Sequence, residues 1–225
     1  MVDSYLPPFN FKRALDPANP TSVGTLVSPD FYSEARHSHH HALLDAADEI
    51  IAADNDWKQL SGRSAGGLLS VDGPDDARIG ILTLGSVFGT LSEARDEYTE
   101  LPPTKLIKLR SYRPFPVDAL RHACAGLTEL IVLERAISPG YGGIVSAEVQ
   151  MALSGKPDMP RIHSFAVGLG GRDIPLDIYR KLHAAIKVPE PRAFSIIDVE
   201  PEKLPVEDHG IESANTDSNQ QRSIS

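Results

Sequence analysis

Short apolar runs alternate with helical periodicity along the chain from Arg78 onward. The runs predict five strands, at about 78–84, 105–111, 129–135, 161–167 and 193–199. Apolar residues spaced three or four positions apart predict helices between them, at about 88–100, 117–126, 143–154 and 175–187. Alternation of strands and helices with short connections is typical of right-handed βαβ units. We therefore expect an α/β fold, a doubly wound and mainly parallel five-stranded sheet covered on both faces.

The first part of the chain has a different pattern. Residues 1–36 are rich in Pro, Asn and Ser and predict an extended arm, because proline interrupts both helices and central strands. Apolar residues at helical spacing from about Ser38 to Leu60 predict one long amphipathic helix. Turn formers and charges around residues 72–76 predict a linker. The expected organisation is an arm, helix and linker over 1–76, an α/β domain over 77–200 and a disordered tail over 201–225.

Composition narrows the function classes. The chain has 225 residues and a formal net charge of -9, a sign that repels phosphate backbones and argues against a nucleic-acid partner. No apolar run approaches the ~20 residues of a spanning helix, and the N-terminus lacks the pattern of a signal peptide, so cytoplasmic residence is expected. The single cysteine, Cys124, excludes a disulfide or an iron–sulfur cluster held by this chain alone. Its position on an apolar helix face predicts a buried, inert thiol.

In open parallel sheets, ligands and partner chains meet the loops beyond the carboxyl ends of the strands. The first such loop, Gly85–Thr90, lacks both the GxGxxG fingerprint and the Gly-Lys-Ser/Thr of a P-loop. A tight strand-to-helix turn is the favoured interpretation, and an anion cradle formed by backbone N–H groups stays open.

Three further strand-end loops supply candidate residues. Arg113 lies in an Arg-Pro-Phe-Pro segment that holds its guanidinium rigidly, either for a carboxylate of a partner domain or for a structural ion pair. Glycines 140 and 142 permit close approach of another backbone. In the segment 168–173 we expect Asp173 to cap the following helix and Arg172 to project from the loop.

No residue set predicts catalysis or metal binding by this chain alone. His37, His39, His40 and His41 share helix faces in part, but no carboxylate accompanies them, so a solvated helix start is favoured over a metal site. No Ser-His-Asp arrangement or close acidic pair is present, which argues against an autonomous hydrolase.

Taken in order, these segments resemble the carboxyl-terminal part of the alpha subunit of pyruvate:ferredoxin oxidoreductase, also called pyruvate synthase. The likeness covers about residues 5–187 and runs through six segments: Leu6-Pro7-Pro8, Ser61-Gly62-Arg63, 82–90, 113–116, 140–143 and 168–173. Each motif alone is weak evidence for the family. The resemblance is specific because the motifs occur in the family's order and on matching strand ends. Related 2-oxoglutarate enzymes are less similar around 140–143 and 168–173, which favours pyruvate as the substrate class.

The resemblance implies a core domain II with the fold of the transketolase carboxyl-terminal domain. Family members join a 2-oxoacid to thiamine diphosphate, pass electrons through iron–sulfur clusters to ferredoxin, and release CO2 and an acyl-coenzyme A. The pyrimidine-binding domain precedes the segment seen here, and the diphosphate site with its Mg and the clusters lie in other domains or subunits. We therefore expect no cofactor on this chain alone, no activity without the other subunits, and ferredoxin as a partner through the complex.

The resemblance implies no catalytic residue on this chain. Its candidates for an interface or for the approach of substrate or coenzyme A are Arg113, Gly140, Gly142, Gly168, Gly170, Arg172 and Asp173. Two alternatives remain open at this point. The chain is a non-catalytic interaction domain, or it is a flavodoxin-like domain that binds a small anion through Gly85–Thr90.

Overall fold

The structure is a computed structural model that describes residues 16–20, 24–155, 157–188 and 193–205. The α-helices in these ranges are α1 Pro29–Ser61, α2 Val87–Glu97, α3 Val117–Ala123, α4 Ile144–Leu153 and α5 Ile178–Ala185. The strands are β1 Leu69–Asp72, β2 Ile79–Leu84, β3 Thr104–Leu109, β4 Glu129–Glu134, β5 Arg161–Ala166 and β6 Ser195–Ile196. The chain divides into two compact units, Met1–Leu44 and Asp45–Ser225.

All six strands form one sheet in the order β1-β3-β2-β4-β5-β6. Strands β2 to β6 run parallel to their neighbours, and β1 pairs antiparallel with β3 at one edge. Strand β2 is central, with Ile81 opposite Leu106 of β3 and Ile131 of β4. After β2 the chain adds β3 on one side and then β4 on the other. The order therefore reverses between the carboxyl ends of β2 and β4, at the topological switch point of the sheet.

The sheet is buried on both faces, because its central strands are apolar at successive positions. On one face, Leu82 and Val132 pack with α3 and α4 around Leu120 and Val149. On the other face, Ile81, Leu106 and Ile131 pack with α2 and α5 around Leu91, Tyr179 and Leu182. This arrangement confirms the predicted doubly wound α/β fold.

Within the described residues, the sheet has six strands instead of the predicted five. The additional strand, β1, borders the segment predicted as a linker, and its Val71 lies opposite Ile107. Two of its four residues are exposed, so it lacks the apolar run that marks the central strands. Strand β6 is also shorter than predicted, since pairing with β5 is confined to Ser195 and Ile196.

Helix α1 begins at Pro29 and has 33 residues, none of them buried. Residues 29–36, predicted as part of an extended arm, are therefore helical. A proline in the first turn is compatible with this start, because the N–H group that it lacks has no partner inside the helix. Residues 1–15 of the predicted arm and 206–225 of the predicted tail lie outside the described residues. The division of the chain at residues 76 and 200 stays a prediction.

Within the second unit, Asp54 attaches the end of α1 to the loop that follows it. Its carboxylate accepts hydrogen bonds from Ser64 Oγ at 2.5 Å and from the backbone N–H groups of Ala65, Gly66 and Gly67 at 2.6, 3.3 and 3.2 Å. The hydrogen bond from Ser64, followed by those from the backbone, lowers the pKa of Asp54. None of the helices in the described part of the chain is long and apolar enough to cross a membrane.

Candidate functional site

The carboxyl edge of the parallel strands carries every candidate residue predicted from sequence. Arg113 follows β3, glycines 140 and 142 follow β4, and the segment 168–173 follows β5. A cavity at the switch point is lined by two of these candidates, Arg172 and Asp173, and by none of the others. The structure thus places all seven candidates at one edge of the sheet, and two of them, Arg172 and Asp173, line one cavity.

Arg113 forms an ion pair inside the domain. Its guanidinium donates to both carboxylate oxygens of Glu148 in α4, over 2.6 and 2.7 Å, and lies 4.4 Å from the ring centroid of Tyr112. The Tyr112 hydroxyl donates to the same carboxylate over 2.7 Å. Arg113 is the main reason why the pKa of Glu148 lies below its usual value. The charge of Arg113 is therefore matched within the domain.

Glu134, the last residue of β4, closes the N-terminus of α4. Its buried carboxylate accepts hydrogen bonds from the backbone N–H groups of Ile144, Val145 and Ser146 over 3.0, 2.9 and 3.1 Å. The N-cap residue of α4 is Gly143, which has no side chain to satisfy these donors. Sequence reasoning assigned no role to Glu134. Two features of the sequence indicate this capping role. A glutamate ends a buried strand, and the residue before the next helix is a glycine, which has no side chain to cap it.

Glycines 140 and 142 shape the loop between β4 and α4. Both have a positive φ, 81° and 127°, and reciprocal backbone hydrogen bonds of 2.8 and 2.9 Å join Ser138 to Gly142. A Cβ on Gly142 would lie 3.1 Å from Phe194, whereas no atom lies within 4 Å of a Cβ on Gly140. Tyr141, between the two glycines, is 75% exposed. The loop therefore presents an aromatic side chain with open backbone beside it.

The loop after β5 is fixed by the segment that follows β6. The N–H of Gly168 donates to the Asp198 carboxylate over 2.9 Å, and the Arg172 guanidinium donates to the Asp198 carbonyl oxygen. Arg172 also lies 3.7 Å from a carboxylate oxygen of Glu200. Gly170 has a φ of 65°, and no atom lies within 4 Å of the position of its Cβ. The structure thus holds Arg172 at the surface of this loop.

Asp173 does not cap the following helix, contrary to the prediction from its position. Helix α5 begins at Ile178, and its N-cap residue is Asp177, whose side chain makes no capping hydrogen bond. The cause lies in Ile174, which precedes Pro175 and is therefore disfavoured in the helical region. Ile174 packs on Gly168, where a Cβ would lie 2.8 Å from Ile174 Cδ1. Asp173 lines the switch-point cavity instead.

The switch-point cavity has a volume of about 210 Å³ and is built from the loops after β2, β4 and β5. Its charged side chains are Arg135, Arg172 and Asp173. Arg135 donates to the carbonyl oxygen of Gly168 over 3.3 Å, which links the loops after β4 and β5. The remaining lining residues are Ser86, Val87, Thr90, Gly171 and Ile174. Sequence reasoning did not single out Arg135, because its role depends on two loops far apart in the chain.

The described residues do not fit the cofactors that the family resemblance implies. No group of three or more His, Cys, Asp or Glu side chains among them is placed to hold a metal ion. Cys124 is buried, and burial raises the pKa of its thiol to about 12, so it offers no thiolate for a cluster. The histidines of α1 are exposed.

Sequence comparison identifies similar proteins. The sequence model of pyruvate:ferredoxin oxidoreductase core domain II matches residues 77–178. Pyruvate synthase subunit PorA of Methanosarcina barkeri is 33% identical over 184 residues, which cover 81% of this chain and 46% of the relative. Ketoisovalerate oxidoreductase subunit VorA of Pyrococcus horikoshii is 32% identical over 175 residues, covering 77% and 44%. The chain spans slightly less than half the length of these curated relatives.

Two solved structures show weaker likeness. A chain of 2-oxoglutarate:ferredoxin oxidoreductase from Magnetococcus marinus, at 22% identity and a TM-score of 0.43, covers 56% of this chain and 20% of its own. A split gene transketolase, at 18% identity and a TM-score of 0.39, covers 52% of this chain and 40% of its own. The fold assignment rests on the sheet order and register given above.

Proposed function

We propose that this chain, which belongs through residues 77–178 to the pyruvate:ferredoxin oxidoreductase core domain II family, supplies that domain to a 2-oxoacid:ferredoxin oxidoreductase. The observation that carries the proposal is the family match, extended by 33% identity to a pyruvate synthase PorA subunit over 81% of this chain. In the assembled enzyme a 2-oxoacid is decarboxylated, its electrons pass to ferredoxin, and an acyl-coenzyme A is formed.

The cofactor chemistry of the proposed enzyme belongs to partner subunits. An iron–sulfur cluster needs several thiolates, and this chain has one cysteine, which is buried. We assign the thiamine diphosphate, its Mg and the clusters to chains that carry the pyrimidine-binding, diphosphate-binding and ferredoxin-like domains. The chain described here then contributes to assembly and shapes the approach to the site, and it is inactive alone.

Pyruvate is the proposed substrate. The family resemblance of segments 140–143 and 168–173 favours pyruvate, and two PorA subunits of pyruvate synthase are 33% and 35% identical to this chain. A branched-chain 2-oxoacid is the nearest competitor, because VorA of Pyrococcus horikoshii, named for ketoisovalerate, is 32% identical to this chain. The substrate test must therefore include both acids.

The carboxyl edge is the proposed docking face for the catalytic domains. Tyr141 is exposed there, and the open space above Gly140 and Gly170 permits close approach of a partner backbone. Arg172 is the preferred charged contact, since its ion pair within the described residues, to Glu200, is long at 3.7 Å. Arg113 is the weaker candidate, because Glu148 already matches its charge at 2.6 Å.

Co-expression with the partner subunits tests the proposal. The expected result is a complex that reduces a viologen dye with pyruvate and coenzyme A, faster than with 2-ketoisovalerate or 2-oxoglutarate, while the chain alone shows no activity. A complex that forms without activity would favour a non-catalytic interaction domain. Activity of the chain alone would contradict the assignment of the cofactors to partner subunits.

A pair of arginine variants tests the docking face. Arg172→Ala removes a guanidinium at the carboxyl end of β5, and Arg161→Ala removes an exposed one at the amino end of the same strand. We expect Arg172→Ala to weaken assembly or lower turnover while the melting temperature of the chain changes little, and Arg161→Ala to leave assembly and turnover intact. A large fall in melting temperature with normal assembly and turnover would make Arg172 a structural residue only.

A further inference from the structure

The switch-point cavity has the position at which open α/β sheets bind ligands. It lies beyond the carboxyl ends of β2, β4 and β5, and the sheet order reverses between β2 and β4. Its volume of about 210 Å³ accommodates a phosphate-sized ion together with bound water, since one water occupies about 30 Å³. The proposed function uses one of its lining residues, Arg172, as a contact for a partner subunit and assigns the cavity itself no ligand.

Two arginines from different loops line the cavity. Arg135 is oriented by its hydrogen bond to the carbonyl oxygen of Gly168, and Arg172 by its hydrogen bond to the carbonyl oxygen of Asp198. A guanidinium has five N–H donors, so each arginine retains donors for another acceptor. Asp173 is the third charged residue of the lining, and the three together carry a charge of +1. The Glu200 carboxylate, 3.7 Å from the Arg172 guanidinium, also pairs with Lys203 over 2.5 Å.

The first turn of α2 adds backbone donors to the same cavity. Ser86 and Val87 line it, and α2 begins with no capping hydrogen bond from a side chain. The first N–H groups of a helix have no partner inside the helix and favour an anion. At α4 the corresponding donors are occupied by the Glu134 carboxylate. Among the first N–H groups of α2, that of Gly89 donates to the carbonyl oxygen of Ser86 over 3.0 Å, and that of Val87, in the cavity lining, has no partner within the described residues.

We propose that the switch-point cavity binds a phosphate group, with Arg135 and Arg172 as its charged partners and the start of α2 as an additional donor. Guanidinium pairs match the oxygens of phosphate through paired N–H donors, and the amide donors of a helix start complement the remaining oxygens. Asp173 limits the affinity, because its carboxylate repels the bound anion. The proposal concerns the chain itself and holds whether or not it assembles with other subunits.

Phosphate titration of the complete 225-residue chain tests the proposal. The measurement is isothermal calorimetry in a phosphate-free buffer of low ionic strength, with inorganic phosphate and, separately, glycerol 3-phosphate as a simple ester. We expect saturable binding of at least one of them. Tighter binding of glycerol 3-phosphate assigns the site to a phosphate ester, and tighter binding of inorganic phosphate assigns it to the free ion. No binding of either at millimolar concentration overturns the proposal.

Matched variants separate a site from general attraction to positive charge. Arg135→Gln with Arg172→Gln should weaken binding at least about tenfold, because each removes charge-assisted hydrogen bonds. Arg63→Gln with Arg110→Gln changes the net charge equally and should leave the affinity within about twofold. Neither Arg63 nor Arg110 makes a side-chain hydrogen bond or ion pair within the described ranges. Equal loss in both double variants would refute the site.

A gain-of-affinity variant keeps the test valid if the double arginine variant fails to fold. Asp173 is exposed and has no hydrogen-bond partner in the part of the chain that the structure describes, so we expect Asp173→Asn to leave the fold unchanged. It raises the charge of the lining from +1 to +2 and should strengthen phosphate binding several-fold. Unchanged or weaker binding by this variant would place the phosphate elsewhere.

Discussion

Glu134 offers the sharpest test of how this fold holds its strand-end loops. Its side chain is 3% exposed, and its carboxylate accepts three hydrogen bonds from the first backbone N–H groups of α4. No neighbouring side chain replaces it, because the N-cap residue of α4 is a glycine. We predict that Glu134→Gln destabilises the folded chain by about 3 kcal/mol.

The magnitude follows from the geometry of the three hydrogen bonds. Glutamine has the shape of glutamate, so no cavity is created. Its single oxygen can keep the bonds from Ile144 and Val145, at 3.0 and 2.9 Å, while its amide group turns toward the Ser146 N–H, now 3.1 Å from a donor. Leaving that buried donor unsatisfied costs about 2 kcal/mol, and the loss of charge assistance in the other two bonds costs about 1 kcal/mol more.

Urea unfolding followed by circular dichroism measures this difference. The matched control is Glu93→Gln on α2, which removes the same charge from an exposed side chain without a partner in the described residues. We expect the control to change the free energy of unfolding by less than about 0.5 kcal/mol. A loss below about 1 kcal/mol for Glu134→Gln, with an unchanged dependence on urea, would refute the cap as a major source of stability.

Three further predictions concern buried or paired groups. Burial lowers the pKa of His183 from 6.5 to about 4, because the folded chain disfavours the charged imidazole. This difference costs no stability above pH 6.5, where the histidine is neutral in both the folded and the unfolded chain. The free energy of unfolding should therefore fall by up to about 3 kcal/mol as the pH drops toward 4, and His183→Leu should remove this dependence in urea titrations at several pH values. Arg113→Lys loses the paired contact with Glu148 and should cost about 1 kcal/mol by urea unfolding, less if solvent screens the pair. Gly143→Ala would place a Cβ 2.3 Å from a Glu134 oxygen and should cost more than about 2 kcal/mol by calorimetry, whereas Gly89→Ala, with open space around its Cβ, should cost nothing.

The central part of the fold could be predicted because its signal is local. Strands β2, β4 and β5 are short apolar runs, and each is followed by a helix with an apolar face, so periodicity alone identifies them. Strand β1 gave no such signal. It is four residues long with two exposed, and its pairing with β3 across some 35 residues of chain determines its structure. The start of α1 was also missed, because a proline and polar residues mask the first turns.

The position of the candidate site could be predicted from the sequence, but the contacts of its side chains could not. A parallel sheet brings the loops after its strands to one edge, so Arg113 and Arg172 could be located there from topology alone. Which charges these arginines meet depends on tertiary packing. Glu148 lies on α4, 35 positions after Arg113, and no local pattern joins them. No local pattern identifies the contact of Arg135 either, because its hydrogen bond to Gly168 joins the loop after β4 to the loop after β5.

The charged residues at the carboxyl edge distinguish the two proposals, docking of a partner subunit and binding of phosphate. Glu148 matches Arg113 at 2.6 Å, and Glu134 occupies the start of α4, so the positively charged residues proposed for a ligand or partner at the switch point are Arg135 and Arg172, the latter with Glu200 at 3.7 Å. Docking of a partner subunit is proposed to depend on Arg172, whereas phosphate binding requires both arginines. Arg135→Gln alone therefore separates the roles. If it lowers phosphate affinity and leaves assembly intact, the two functions share one residue and are otherwise independent. If it lowers both, the anion site lies within the docking face, and assembly should respond to phosphate concentration.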